Sequence, residues 1–249
     1  MRRRLAAGAL ACAATLFGCA AYAYLTLPDV RGLARNNPSS TAFSDLRAQE
    51  ARRSGRAPRH VQRWLGYRRI SPALTRAVLV AEDAAFWQHE GVDYDELQKS
   101  IELDWARGQL MRGASTITQQ LAKNLYLSPS RNPLRKFREL IIARRLEAEL
   151  SKTRILELYL NVIEWGDGVY GAEAAAQTYF HKSASSLSPT EAAALAASII
   201  NPRLMNPSRP TRRLNGRQQI ILRRMGQVVA PVARATAAVD EEDRQTEQK

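Results

Sequence analysis

The chain is poor in cysteine, histidine and acid, and each shortage removes a class of function. Its two cysteines, Cys12 and Cys19, both stand near the N-terminus. From Ala20 onward there is therefore no disulfide and no cysteine-ligated zinc, and the core must stabilise itself. The three histidines, His60, His89 and His181, include no i, i+4 pair, which argues against a helical zinc site. Asp and Glu number 24 against 37 Lys and Arg, giving a net charge of +13 and a pI near 10.3. The partner should be anionic: nucleic acid, a phospholipid surface or a phosphorylated substrate. There is no period-2 run long enough for a convincing strand and no internal repeat, so the domain is predicted to be mainly α.

The N-terminus narrows the choice of partner. Arg2, Arg3 and Arg4 precede an uncharged stretch from Leu5 to Leu27, which ends at Pro28-Asp29. As a helix it is long enough to cross a hydrocarbon core of about 30 Å. Basic residues stay on the cytoplasmic side, so the rest of the chain is expected outside the cytoplasm, away from nucleic acid. A cleaved signal peptide with Ala6 to Phe17 as its apolar core is the alternative. Apolar sequence running past Cys19 through Tyr22, Tyr24 and Leu27 favours an uncleaved anchor.

Residues 1–28 thus read as a cytoplasmic stub and transmembrane anchor. Residues 29–60, rich in Arg, Ser, Ala and Pro without periodicity, read as a linker, with order beginning near Val61. Ser71-Pro72 pairs an N-cap with proline at the first helical position and starts a helix that delivers Glu82 near its end. Asp93-Tyr94-Asp95-Glu96 opens a second helix carrying Leu97, Ile101 and Trp105, and Gly108 to Gly113 reads as a mobile loop. Helices are expected over Thr116 to Tyr126, over Asn132-Pro133 through Leu134, Phe137, Ile141 and Leu150, and over Lys152 to Asn161 behind Ser151. Ser188-Pro189-Thr190-Glu191 opens an Ala-rich helix to Ile200, and another is expected over Leu214 to Val229. The folded domain is placed at 61–230, and the polar residues 231–249 read as a frayed tail.

Four strings carry polar groups that chemistry could use. Glu82-Asp83-x-x-Phe86-x-x-His89-x-Gly91 sets a carboxylate, an aromatic and an imidazole around a helix end; read alone, it is a solvated terminus with His89 as a cap. Gly113 to Asn124 places Ser115 and Thr116 at a helix N-terminus, where exposed amides attract anions, with Gln120 and Lys123 a turn further on. A capping box, Thr116-x-x-Gln119, accounts for only part of that string. Arg135 and Glu139 share a helix face at i, i+4, which on a surface is an ion pair worth only about 0.3–0.5 kcal/mol. Lys152 to Asn161 by itself is an amphipathic packing helix.

Together and in this order, these strings resemble the family 51 glycosyltransferases, the peptidoglycan glycan-strand polymerases. The likeness runs from about Leu74 to Met225. It rests on Glu82-Asp83-x-x-Phe86, Gly113-x-Ser115-Thr116-Ile117-Thr118-Gln119-Gln120, Arg135-Lys136-x-x-Glu139 and Ile155-Leu156-Glu157-x-Tyr159-Leu160-Asn161. Gly166-Asp167-Gly168-Val169-Tyr170-Gly171, followed by Ala174-Ala175-Ala176 and Tyr179-Phe180-His181-Lys182, is similar to the monofunctional branch. The chain has no Ser-x-x-Lys and no Lys-Thr-Gly, and too little sequence after Met225 for a penicillin-binding transpeptidase domain.

The resemblance implies a lysozyme-like glycosyltransferase domain preceded by a single N-terminal transmembrane helix in the bacterial cytoplasmic (inner) membrane, with the catalytic domain on the outer face. It implies lipid II and undecaprenyl-pyrophosphate-linked glycan as substrates, and cell-wall synthesis or division proteins as candidate partners. Glu82 would be the catalytic base and Glu139 a second essential carboxylate, either holding a divalent cation (Mg or Mn) at the pyrophosphate or orienting nearby bases. Lys123, Arg135 and Lys136 would neutralise the leaving pyrophosphate. Asp83 would support Glu82, with Phe86, His89, Ser115, Thr116, Gln119 and Gln120 around the substrate. Bifunctional relatives carry a basic residue near Ile199 to Pro202; Arg203 is the expected substitute, and the acid-free stretch to Arg224 reads as a solvated basic face that could also meet anionic lipid. The rival readings are a lysozyme-like hydrolase, which also uses two carboxylates, and an inactive division scaffold.

Overall fold

The computed structural model describes residues 14, 17, 18, 25–107, 115–128 and 133–226. The expected anchor (mostly), the expected loop at Gly108 to Gly113 and the expected tail lie outside those residues, as do the side chains of Ile101 and Trp105. Among the described residues, no helix is long and apolar enough to cross a membrane.

The order of helices is α1 (Ala42–Arg53), α2 (Pro72–Glu82), α3 (Tyr94–Arg107), α4 (Ile117–Tyr126), α5 (Pro133–Glu149), α6 (Lys152–Val162), α7 (Ala172–Phe180), α8 (Pro189–Ser198) and α9 (Arg212–Met225). Their starts follow local chemistry. The hydroxyls of Ser71, Thr116, Ser151, Ser188 and Thr211 each accept from a backbone N–H in the first turn of the helix they precede. Ser188 and Glu191 complete a reciprocal capping box.

Two packed groups meet along the site. α2, α8 and α9 lie on one another, and α4 packs on α5 and α6. The Ala-rich α8 is buried from Ala192 to Ser198, its small side chains allowing close approach of neighbouring helices. α6 runs through the core with Ile155, Leu156, Leu158, Tyr159 and Leu160 buried. α5 differs from expectation on one face: Ile142, Ala143, Leu146 and Leu150 are buried, whereas Leu134 and Phe137 are 72% and 57% exposed. The apolar stripe of α5 therefore meets the core only along its second half.

A small sheet joins distant segments. β1 (Val61–Gln62) pairs parallel to β3 (Val169–Tyr170), and β2 (Glu164–Gly166) pairs antiparallel to β3. Strands of two and three residues carry too few positions for a period-2 signal, which is why no strand is legible in the sequence. Gly168 makes the turn with φ +68°, and a Cβ there would lie 2.5 Å from the Arg59 carbonyl oxygen. Gly168→Ala should therefore cost about 1–3 kcal/mol of stability, read from thermal unfolding. Asn161 of α6 holds the segment that follows β1. Its side chain accepts from Leu65 N at 2.8 Å and donates to Leu65 O at 2.9 Å, in the manner of a strand neighbour.

The stretch expected to be a structureless linker is ordered well before Val61. It contains a 3-10 turn (Arg31–Ala34) and α1, whose start is fixed by reciprocal Thr41–Ser44 capping. Leu27, Val30 and Leu33 join the main core. Its polar composition hid this because few side chains are buried and its anchors are contacts to residues far along the chain. Arg47, for example, pairs with buried Glu164 at 3.2 Å.

Candidate active site

Glu82 ends α2 at the wall of a cleft of about 470 Å³, which Asp83, Ser115, Thr116, Asp93, Lys99 and Arg224 also line. Glu82 is mostly buried. Gln120 Nε2 donates to its Oε2 at 3.0 Å, and Arg217 Nη2 donates to its Oε1 at 3.1 Å. Burial pushes the carboxyl above the ordinary glutamate range, and Gln120, Arg217 and Lys123 pull against that rise. The Tyr159 hydroxyl donates to Gln120 Oε1 at 2.9 Å, so the amide of Gln120 is fixed from behind and presents its N–H to Glu82. Tyr159 is fully buried, and burial, reinforced by Glu82 and Asp83, holds its phenol well above the usual range; it serves as a donor.

Asp83 faces inward. One oxygen accepts from Ile117 N at 2.9 Å at the start of α4, and the carboxylate also meets His89 Nε2 at 2.9 Å. His89 Nδ1 accepts from Gly91 N, so Nε2 carries the proton given to Asp83. This geometry locks the end of α2 to the start of α4 and so places Glu82 relative to Gln120. Phe86 has no exposed surface and packs edge-on to Trp87 and His89, with Lys152 Nζ 4.4 Å from its ring centre. It supports the wall of the site and does not face substrate. Thr116 and Gln119 are also buried, both donating to the Gly91 carbonyl at 2.7 and 3.3 Å.

The second group sits on α5. Glu139, 3% exposed, receives Arg135 at 2.5 Å on one oxygen and Lys136 on the other. Lys136 also donates to Ser115 Oγ at 3.1 Å and to Gln119 Oε1 at 3.0 Å, joining this cluster to the cleft wall. Lys123 lies within the field of Glu139, Arg135, Lys136 and Glu82. Burial lowers its ammonium pKa, against the pull of Glu139, and Arg135 and Lys136 lower it further. A concentration of three cations around one carboxylate suits a polyanionic group.

Glu139 does not fit a divalent cation. Both of its oxygens already accept from cationic side chains, and an added Mg or Mn ion would stand against Arg135, Lys136 and Lys123. Among the described residues, no group of three or more His, Cys, Asp or Glu side chains could hold a metal ion. Of the two expected roles for Glu139, orienting its basic neighbours is the one this geometry accommodates.

One contact at the site is not legible in the sequence. Arg217 lies 135 residues from Glu82, inside a run whose plain reading is a solvated basic face, and nothing local marks it. Arg203, the expected basic substitute, is spent at 3.3 Å on Asp167, away from the cleft. Behind the site, Thr118 donates to Glu147 at 2.5 Å and Lys152 reaches the same oxygen at 2.8 Å, which ties α4, α5 and α6 together.

Residues 48–226 match the transglycosylase family model. The chain is 48% identical over 195 residues to a biosynthetic peptidoglycan transglycosylase of Nitrosospira multiformis, covering 78% of this chain and 85% of the relative. It is 50% identical over 198 residues to proteins of the same name from Methylobacillus flagellatus and Laribacter hongkongensis, covering 79% of this chain and 86% of each. With its carboxylate cleft and its cation cluster inside the matched span, the chain belongs to the transglycosylase family.

Proposed function

We propose that the protein polymerises peptidoglycan glycan strands by an inverting transfer. The donor is the growing glycan on undecaprenyl pyrophosphate and the acceptor is lipid II. Glu82 takes the proton of the acceptor 4-hydroxyl, and the oxygen attacks the donor's anomeric carbon from the opposite face. The bond from that carbon to the pyrophosphate breaks, the leaving group keeps the electron pair, and a β-1,4 bond forms. Lys123, Arg135 and Lys136 neutralise the leaving charge, with Glu139 orienting Arg135 and Lys136. The N-terminal apolar segment anchors the chain in the inner membrane with this domain outside.

The observation that carries the reading is the coupling of a desolvated carboxylate to a cation cluster: Gln120 donates to Glu82 and to the Ser115 carbonyl, and Lys136 donates to the Ser115 hydroxyl. A base whose pKa is raised toward the working pH is suited to proton removal. A hydrolase of the lysozyme type needs a second carboxylate free to act on water or on the sugar. Neither motif carboxylate expected to act with Glu82 is free for that: Asp83 is committed to His89 and Ile117 N, and Glu139 to Arg135 and Lys136. Incubation of the purified protein with lipid II should yield long glycan and free undecaprenyl pyrophosphate. Shortened sacculus without polymer would overturn the proposal in favour of a hydrolase.

The pH profile offers a second check. Glu82 must be ionised to act, and its raised pKa sets the acid limb; Lys123 must be charged, and its lowered pKa brings the alkaline limb in from the usual lysine range. Arg217 favours the ionised form of Glu82, so Arg217→Gln should move the acid limb to higher pH. Arg217→Lys should move it back. An acid limb that stays in place in Arg217→Gln would show that this contact does not tune the base.

A further inference from the structure

The segment that leaves the apolar N-terminal stretch does not hang free. Arg138 of α5 donates to Thr26 Oγ1 at 3.0 Å and to Thr26 O at 2.9 Å. Arg154 of α6 donates to Leu33 O at 2.8 Å, Asn36 O at 3.0 Å and Asn37 Oδ1 at 2.8 Å. Its own guanidinium is held by Glu157 and lies 5.6 Å from the Trp64 ring centre. Between these two clamps Leu27, Val30 and Leu33 are buried in the main core.

We propose that this strap fixes the exit of the membrane anchor against the helix that bears the cation cluster, making Arg138 and Arg154 positioning residues for a polyprenyl-linked pyrophosphate. The inference rests on the function proposed above. Arg138 lies one turn from Arg135 and next to Glu139, about 4.5 Å along the axis of α5 from Arg135. A polyprenyl pyrophosphate carries its charge at the bilayer surface, which is also where the apolar segment ends. Clamping Thr26 to α5 therefore holds the cluster at the height of the group it must neutralise. The outward side chains of Leu134 and Phe137 on the same helix suit an interfacial setting. A flexible tether of about 30 residues would instead let the domain wander about 30 Å from the exit point, diluting the cluster at the surface.

The test uses full-length protein in vesicles of phosphatidylethanolamine and phosphatidylglycerol, comparing wild type with an Arg138→Ala/Arg154→Ala double variant. Amides of residues 30–37 should exchange with deuterium about tenfold faster in the variant. The apparent KM for lipid II in vesicles should rise about tenfold while kcat stays within about twofold. In detergent with a short-chain lipid II analogue the two proteins should have equal KM, and Arg138→Lys/Arg154→Lys should recover most of the loss in vesicles. Unchanged exchange would refute the clamp. Faster exchange with an unchanged vesicle KM, or an equal KM rise in detergent, would refute the positioning role. A wild type that makes no glycan would sink the functional reading and the positioning role with it, leaving exchange to report on the clamp alone.

Discussion

Glu82→Gln should lower kcat for glycan polymerisation by about 10²–10⁴-fold, the usual contribution of a well-placed general base. The amide keeps the shape of the side chain and its contact with Gln120, but it has no basic oxygen to receive the acceptor proton. Donor binding should persist, because Arg135 and Lys136 lie on α5 and take their order from Glu139 and Ser115. The variant should also remain folded. A buried carboxyl whose pKa is raised on folding contributes stability below its unfolded pKa of about 4.3 and loses it as pH rises through the folded value. At neutral pH the wild-type site thus bears a charge at a cost, and Glu82→Gln should melt no lower than wild type there. Its relative advantage should shrink as the pH falls into the carboxyl range. Polymerisation at the wild-type rate would remove Glu82 from the chemistry, and an unfolded variant would make its role structural.

Glu139→Gln should impair both stability and turnover, which distinguishes it from Glu82→Gln. Glu139 is the shared acceptor of Arg135 and Lys136, and a neutral amide cannot take both with charge compensation. Removing one partner from a buried pair costs about 3–5 kcal/mol, and the lower end applies because Lys136 is 40% exposed and can rehydrate. Released from Glu139, Lys136 would also lose its orientation toward Ser115 and Gln119, so the apparent KM for the pyrophosphate-linked donor should rise. Thermal unfolding and donor titration read the two effects separately. Full stability in Glu139→Gln would show that the cluster does not depend on its carboxylate. Arg135→Ala should weaken donor use more than Glu82→Gln does, since it removes a cation and leaves the base in place.

Much of this architecture is written locally. Caps at Ser71, Thr116, Ser151 and Ser188 depend on a hydroxyl and an amide a few residues apart, so spacing alone reveals where those helices begin, whereas the last helix starts at Arg212 behind Thr211, ahead of the expected Leu214. The pairing of Glu139 with Arg135 and Lys136 falls at i, i+4 and i, i+3, and the motif strings single out Glu82 without any coordinates. The strap and α1 were illegible because polar composition conceals a segment whose order comes from Leu33, Thr41 and a few distant arginines. The sheet was illegible because two-residue strands have no period.

The motif order by itself determined the family resemblance, the mainly helical class and the identity of the principal carboxylates. Only the tertiary structure decided how they are divided in use. It turned Asp83, Phe86 and Gln119 inward as supports, committed both oxygens of Glu139 to cations, and brought Arg217 to Glu82 across 135 residues. Helix spacing fixes which side chains share a face over a turn or two. Burial, charge compensation and pKa depend on what every other element places within a few ångströms, and that is settled only when the chain has packed.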